Sequence, residues 1–367
     1  MRDRRVDALA QILVRYSTNV KRGDVCSIAA PTAAEPLVQA VYEEVLRAGG
    51  LPIMQLQPSG APAAFFELAS DEQLDWVPPT TEWTVENADV HIAVMASLNT
   101  RELSNADPKK QARQQKARKA IMETSMRRAA EDSYRWALTL FPTHAYASEA
   151  GMSLPAFEDF YYAACLALDD DPVSAWARQS EETRRLADWI RGREEVRIQG
   201  EGTDITLGVA GRTWIASSGE HNMPDGEFFT APIEDSVNGE IAFSFPASYG
   251  GRSVSGVRMR FEDGKVVDAT ADQGEAFLIE MLDTDEGARR LGELGIGTNF
   301  GIATGTKEIL LDEKIGGTVH MAVGMAYPES GGTNTSAVHW DMVCDLREGG
   351  SITVDGEELQ RDGRFLV

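Results

Sequence analysis

The sequence predicts two domains: an α/β N-terminal domain with a parallel sheet, residues 1–190, and a β-rich α+β C-terminal domain, residues 191–367. Two observations support this prediction. The 367 residues exceed the usual length of one domain, and 43% of them are hydrophobic, which suffices for sizeable cores. Helical and strand patterns alternate in the first half, whereas strand and turn signals dominate after about residue 190.

The first half alternates amphipathic helices with short apolar strands. Helical spacing of apolar residues predicts helices at residues 3–19 and 34–48, the second ending at Gly49-Gly50. The predicted strands lie at residues 25–29, 51–56 and 88–95. This alternation favours a parallel sheet with helices on its faces.

The second half begins after a helix with a clear start signal. Asp171 and Pro172 fit the N-cap and first position of a helix that runs to about Arg191. Residues 196–209 then read as a β-hairpin, and the chain ends in strands with Asp-Gly turns. One acidic helix is expected near residues 272–293 within this β-rich half.

Charge and cysteine content restrict the function classes. A net charge of −23 repels phosphate, so we expect no nucleic-acid partner, and the basic run at residues 107–128 is interpreted as a solvated helix face. Cys26, Cys165 and Cys344 are odd in number and widely spaced, which is atypical of a disulfide framework or a thiolate zinc site. The N-terminus reads as amphipathic and not as a signal sequence, and no apolar run reaches the ~18 residues of a membrane span. We therefore expect a cytoplasmic protein with no membrane partner.

Two histidines lie on predicted strands in the second half. His339 and Asp341 are two residues apart in an apolar strand, so their side chains share one face. His320 lies on another strand, opposite the face that carries Val319 and Met321. An imidazole beside a carboxylate is half a metal site, although a buried His–Asp hydrogen bond would produce the same H-x-D pattern.

Two glutamates stand in contexts that disfavour solvent exposure. Glu227 lies between a turn glycine and two phenylalanines, and Glu293 lies where the predicted helix gives way to a glycine-rich turn. A buried carboxylate needs a partner, and a metal cation is one. Either glutamate alone also fits an ordinary surface or capping position. The glycines at 295, 297 and 301 miss the spacing of a dinucleotide-binding loop.

Together these segments resemble the M29 family of metallo-aminopeptidases, the aminopeptidase T type. The resemblance covers most of the chain, including residues 135–143 and 149–154. It is sharpest in four segments: Asn222-Met223-Pro224-Asp225-Gly226-Glu227-Phe228-Phe229-Thr230, Glu293-Leu294-Gly295-Ile296-Gly297-Thr298-Asn299, Gly317-Thr318-Val319-His320 and His339-Trp340-Asp341.

The resemblance implies a two-metal centre. The metal ligands that it implies are Glu227, Glu293, His320, His339 and Asp341. It also implies that Tyr327 lies beside the ions and stabilises an oxyanion or positions the bound water, and whether a carboxylate such as Glu293 also moves a proton stays open. One position departs from the family pattern, because Asp225 stands where threonine usually follows the proline, which adds negative charge near the site and bears on substrate preference.

The implied function is metal-dependent hydrolysis of N-terminal residues, leucine among them, from short peptides. Nitrogen and oxygen ligands without a thiolate suit two divalent ions of zinc, cobalt or manganese. The family resemblance also implies a homodimer. Two other interpretations remain: a mononuclear Fe(II) ring-cleaving dioxygenase acting on a hydroxypyridine, with His320, His339 and Asp341 as ligands, and a non-catalytic binding protein of the same fold.

Overall fold

The computed structural model describes residues 3–367 and divides them between two compact units. Of these residues, 3–177 with 219–223 form one unit, and 178–218 with 224–367 form the other. The predicted domain boundary at residue 190 stays a prediction. Met1 and Arg2, part of the amphipathic N-terminal segment, lie outside the described residues. Within residues 3–367, no helix is both long and apolar enough to cross a membrane.

The first unit contains a five-stranded parallel sheet. Its helices are α1 (Arg4–Gln11), α2 (Glu35–Ala48), α3 (Ala61–Leu68), α4 (Asp71–Asp75), α5 (Pro79–Asn87), α6 (Pro108–Ala117), α7 (Lys119–Ala130), α8 (His144–Glu149) and α9 (Leu154–Ala164). Its strands are β1 (Val25–Pro31), β2 (Leu51–Gln57), β3 (Val90–Met95), β4 (Arg135–Leu140) and β8 (Asn222–Met223). The strand order is β2-β1-β3-β4-β8, and all four pairings are parallel. The predicted parallel α/β architecture is confirmed.

Local signals explain several element ends in this unit. The chain leaves α2 through Gly49, whose φ of 84° is left-handed and therefore suits glycine. Helix α1 continues as a π-helical segment, Ile12–Ser17, so the predicted helix 3–19 is present in two forms.

The basic run at residues 107–128 lies on α6 and α7, which contain no buried residue. Within this run, Arg113 pairs with Asp71 and Asp75.

The second unit is dominated by antiparallel strands. Its helices are α11 (Glu275–Leu282) and α12 (Ile309–Asp312), and α10 (Pro172–Ile190) spans the division between the units. Its strands are β5 (Glu195–Gly200), β6 (Thr203–Gly208), β7 (Ile215–Ser217), β9 (Glu227–Thr230), β10 (Asn238–Ala242), β11 (Ala247–Tyr249), β12 (Arg252–Val254), β13 (Arg258–Glu262), β14 (Lys265–Thr270), β15 (Leu291–Gly297), β16 (Thr318–Gly324), β17 (His339–Asp345), β18 (Ser351–Val354), β19 (Glu357–Arg361) and β20 (Arg364–Phe365).

Three sheets organise these strands. A five-stranded sheet has the order β17-β16-β15-β9-β7, an eight-stranded sheet has the order β14-β13-β10-β6-β5-β18-β19-β20, and β11 pairs with β12. Apolar side chains from both large sheets join one buried cluster, including Ile198 of β5, Ile241 of β10 and Leu294 of β15. The hairpin predicted at residues 196–209 and the β-rich character of this half are confirmed.

One predicted helix is too long. The acidic helix expected at residues 272–293 ends at Leu282, a 3-10 turn follows at Gly287–Arg289, and β15 begins at Leu291. Glu293 therefore lies on a strand and not at a helix end. A Cβ at Gly287 would lie 2.1 Å from the carbonyl oxygen of Thr335, so this glycine marks a close backbone approach that helical periodicity does not reveal.

Candidate metal centre

In the five-stranded sheet β17-β16-β15-β9-β7, successive side chains along each strand point to opposite faces. On β16, Val319, Met321 and Val323 join the buried apolar cluster, and His320 lies on the opposite face. The same alternation on β17 buries Trp340 in the cluster and places its neighbours on the opposite face. One face of the sheet thus packs into the core, and the other carries polar residues.

Strand register brings the predicted ligands onto this polar face side by side. The ligands are Glu227 on β9, Glu293 on β15, His320 on β16, and His339 and Asp341 on β17. Register pairs Gly297 with Glu227, Gly295 with His320, Ala322 with both Glu293 and Asp341, and Gly324 with His339. Small residues therefore lie opposite the large polar side chains, which leaves room for them.

His320 lies at the meeting point of two glutamates. Its Nε2 is 3.1 Å from Oε1 of Glu293 and 3.2 Å from Oε2 of Glu227, and its side chain is fully buried. A Cβ at Gly295 would lie 2.0 Å from Cε1 of the imidazole, so only glycine leaves space for this ring. Burial opposes the charged form of His320, but the charges of Glu227 and Glu293 outweigh it and raise its pKa to about 9.

His339 occupies the opposite end of the cluster. Its Nδ1 donates to the carbonyl of Met325 over 2.8 Å, which directs Nε2 toward the carboxylates of Asp341, at 3.4 Å, and Glu293, at 3.9 Å. Burial lowers its pKa, but the hydrogen bond and charge of Asp341 outweigh this and raise the pKa to about 10. Glu293 thus directs one oxygen toward each histidine.

Tyr327 lies beside this histidine. Its ring packs edge-on against the ring of His339 at a centroid distance of 5.0 Å and against Phe229 at 6.1 Å. Burial first, and then the charges of Glu293 and Asp341, raise the pKa of the Tyr327 phenol, so its hydroxyl stays protonated and can donate. Its role in catalysis stays a prediction.

Glu313 and Lys314, which the sequence reasoning did not select, also belong to this site. Ligand atoms of Glu313, His320 and Asp341 lie within 4.8 Å of one another, as do those of Glu227, Glu293 and His320. Nζ of Lys314 forms ion pairs with Glu227 and with Glu313, and it lies 2.7 Å from Oε1 of Glu313. The available signal was a run of three charged residues, Asp312-Glu313-Lys314, between apolar residues and just before the glycines that precede His320.

The donor set fits a divalent metal. Burial raises the pKa of Glu227 to about 8 although Lys314 and His320 oppose the rise, and His339 lowers the pKa of Asp341 despite its burial. Oε2 of Glu227 and Oδ1 of Asp341 are buried and accept no hydrogen bond from the part of the chain that the structure describes. Buried carboxylate oxygens of this kind need a positive partner, and mixed imidazole and carboxylate donors suit zinc, cobalt or manganese.

A family model described as thermophilic metalloprotease (M29) matches residues 2–365. The chain belongs to the M29 family of metallopeptidases. This confirms the family predicted from the sequence, and a divalent metal is the family's cofactor.

M29 relatives of known name match along the whole chain. Aminopeptidase T from Thermus thermophilus is 29% identical, with 99% of each chain covered, and Aminopeptidase 2 from Geobacillus stearothermophilus is 28% identical, with 99% of this chain and 98% of that protein covered. Among solved structures, wild-type AmpT from Thermus thermophilus superposes with a TM-score of 0.85 at 28% identity, over 99% of both chains.

A second solved structure is similar in fold alone. The 2,5-dihydroxypyridine dioxygenase from Pseudomonas putida KT2440 gives a TM-score of 0.59 at 14% identity, over 99% of this chain and 97% of that one. This likeness extends over nearly the whole chain and shows the fold alone.

Proposed function

We propose that this protein is a metal-dependent aminopeptidase that releases N-terminal residues, apolar ones such as leucine among them, from short peptides. The observation that carries the proposal is the convergence of Glu227, Glu293, His320 and Asp341 on one sheet face, with buried carboxylate oxygens that lack hydrogen-bond donors. The M29 relatives named as aminopeptidases match over the full length, which supports the same reaction.

The predicted ligands divide naturally into two positions. Glu227 and His320 contribute to one, and His339 and Asp341 contribute to the other. Glu293 has one oxygen near each histidine, so it would contribute a donor to both positions. Glu313 is an additional candidate donor beside Asp341. Two divalent ions of zinc, cobalt or manganese held here would supply Lewis acidity and a water of lowered pKa.

The chain's own residues account for the remaining roles. Tyr327, whose hydroxyl stays protonated, donates to the oxyanion that develops on the scissile carbonyl. An ion held in this site would bind the free amine at the N-terminus of a peptide, which favours an exopeptidase. The proposed catalytic residues are therefore Tyr327 and Glu293, the latter also serving as a ligand.

Domain organisation, assembly and location are part of the same proposal. We place the N-terminal α/β domain at residues 1–190 and the catalytic domain at residues 191–367, and we propose a cytoplasmic homodimer. The three cysteines are buried free thiols, which suits a reducing compartment. On the edge strand β2, Leu51, Met54 and Leu56 are exposed, as expected for a surface that a second copy covers.

The test is hydrolysis of leucine p-nitroanilide and a leucyl dipeptide after treatment with EDTA and after addition of Zn²⁺, Co²⁺ or Mn²⁺. We expect the metal to restore release of leucine, and Glu293→Gln to lower kcat by roughly 100-fold or more, because several kcal/mol of transition-state stabilisation depend on the ions. Glu286→Gln is the matched control, since Glu286 is exposed and lies seven residues earlier.

Absence of turnover with every metal would refute the proposal. Oxygen uptake with Fe(II) and a hydroxypyridine in place of peptide hydrolysis would assign the site to ring cleavage. Sedimentation as a monomer at micromolar concentration would refute the dimer alone.

A further inference from the structure

Lys314 is a buried lysine surrounded by carboxylates. Its side chain is 1% exposed, and its ammonium pairs with Oε1 of Glu227, with Oε1 of Glu313 at 2.7 Å and with Oδ1 of Asp225 at 3.7 Å. Burying a charged amine costs several kcal/mol unless it is paired. The three acidic partners explain why this side chain is tolerated, but not why an ammonium is placed beside a metal centre.

The candidate ligands form two groups: Glu227, Glu293 and His320, and Glu313, His320 and Asp341. The ion pairs of Lys314 orient one carboxylate from each group. Because Lys314 binds Oε1 of Glu227, the other oxygen of that carboxylate is turned toward Nε2 of His320, 3.2 Å away, and accepts no hydrogen bond from the described residues. Lys314 likewise holds Oε1 of Glu313, which belongs to the group with His320 and Asp341. A single ammonium therefore contacts both groups.

The backbone around Lys314 is held at both sides. The backbone N–H of Asn299 donates to the carbonyl of Lys314 over 3.0 Å, and Gly316 donates to the carbonyl of Asn299 over 2.9 Å. The side-chain amide of Asn299 also donates to the carbonyl of Asp225 over 2.8 Å. The segment after β15 thus ties Lys314 to the turn that precedes Glu227, so the position of the ammonium is fixed relative to the ligands.

The balance of charge also indicates that the Lys314 ammonium belongs to the proposed metal site. Five carboxylates surround the site, those of Asp225, Glu227, Glu293, Glu313 and Asp341. Two divalent ions and one ammonium carry five positive charges, which match these five negative charges. Asp225, the departure from the family pattern, is buried beside Lys314, so its added negative charge is compensated inside the cluster and does not face a substrate.

We propose that Lys314 is a positioning residue that sets the spacing of the two metal positions by holding one oxygen of Glu227 and one of Glu313. This inference rests on the proposed function. Lys314 does not touch the substrate in this role. It fixes which carboxylate oxygens face the ions.

The experiment compares Lys314→Met with Lys307→Met in the full-length protein. Lys307 is exposed and lies seven residues earlier, so this control removes the same charge from an exposed position. Cobalt binding is followed by calorimetry and by the visible absorption of Co²⁺, and kcat and KM are measured on a leucyl peptide. For Lys314→Met we expect an altered absorption band, one Co²⁺ weakened at least about tenfold, and a fall in kcat with KM within about threefold.

Lys314→Arg should recover part of the absorption band and of kcat, since a guanidinium can bind both carboxylates, whereas Lys307→Met should match the wild type. If Lys314→Met does not fold, Lys314→Gln replaces it in every measurement, with the same expected result. If the folded Lys314 variant has the same Co²⁺ absorption and the same stepwise Co²⁺ binding constants as the wild type, the inference is overturned. A wild-type protein that binds no pair of ions or hydrolyses no peptide would instead refute the proposed function.

Discussion

At the scale of single residues, the space around His320 depends on one glycine. Gly295 pairs with His320 across β15 and β16, and a methyl group at that position would lie 2.0 Å from Cε1 and 2.1 Å from Nε2 of the imidazole. The imidazole is itself fully buried, so it has no solvent-filled space to move into. The absence of a side chain at residue 295 is therefore a condition for the proposed metal centre.

Gly295→Ala is predicted to lower metal affinity at least about tenfold, because the added methyl group displaces the His320 ring from Glu227 and Glu293. The cost in free energy of unfolding is expected to be about 1–3 kcal/mol, as for other overpacked sites. Calorimetric titration with Zn²⁺ and thermal unfolding of the metal-free protein measure the two effects separately.

Gly200→Ala on β5 is the control for that substitution. A Cβ at Gly200 would lie 3.3 Å from the end of the Leu346 side chain, which can move by the small distance required. Equal metal affinities for Gly295→Ala and Gly200→Ala would contradict the assigned role of Gly295.

The predicted site was recoverable from sequence only where the signal was local. The strand periodicity correctly placed His339 and Asp341 on one face of their strand and His320 opposite Val319 and Met321, because alternation is a property of the strand itself. Lys314, and with it Glu313, was missed because the contact that joins Lys314 to Glu227 is remote in sequence. The Lys314–Glu227 contact spans 87 residues, and no short pattern encodes it.

At the scale of elements, one ion pair helps to fasten the connection between β16 and β17 to the rest of the unit. Glu234 accepts from the backbone N–H of Thr333 at 2.7 Å and from its hydroxyl at 2.8 Å, and it pairs with Arg212 at 2.5 Å. Arg212 also donates to the carbonyl of Gly331. The connection includes Tyr327, so these contacts restrict a segment that adjoins the metal centre.

Glu234→Gln is predicted to lower the free energy of unfolding by about 1–3 kcal/mol at pH 7, since Arg212, whose side chain is only 11% exposed, loses its charged partner. Burial raises the pKa of Glu234, but the hydrogen bonds from Thr333 outweigh it and the net pKa is lowered. A carboxylate with a lowered folded-state pKa stabilises above its unfolded pKa, and that stabilisation disappears as pH falls through the folded value.

The measurement is the difference in thermal unfolding between wild type and Glu234→Gln, taken from pH 7 down to pH 3. The difference should shrink as pH falls below about 4.3, the ordinary glutamate value. A constant difference across that range would show that the carboxylate charge is not what fastens the connection.

Elements with their own start and stop signals were predicted well, whereas β15 was not. The start of α10 is capped by Asp171, and the end of α2 is marked by Gly49. Both signals act locally. Glycines at 292, 295 and 297 read as a turn, but in the structure each lies where a Cβ would meet a neighbouring strand or loop within 2.1 Å. Such glycines mark close packing inside a sheet, and only the tertiary structure separates that meaning from a turn.

At the scale of the whole molecule, the net charge of −23 creates a field that acts on every charged substrate. A peptide with a basic second residue should be steered toward the protein more strongly than an acidic one. The ratio of kcat/KM for leucyl-lysine to that for leucyl-glutamate is predicted to fall as ionic strength rises from 10 mM to 500 mM, because salt shortens the Debye length from about 30 Å to a few ångströms.

The neutral peptide leucyl-alanine is the reference in this experiment, and its kcat/KM should change little with salt. A ratio that stays constant across the salt range would locate any preference for basic peptides in direct contacts and not in the long-range field.

The parallel sheet of the first unit also has a consequence for the order in which the protein can fold during synthesis. Its edge strand β8 is formed by residues 222–223, and Leu138 of β4 pairs with Asn222. A nascent chain that has emerged only to residue 190 therefore contains β4 with one edge open. The sheet is completed only after the ribosome has added more than thirty further residues, so the two units cannot mature strictly one after the other, and an open strand edge is exposed in the interval.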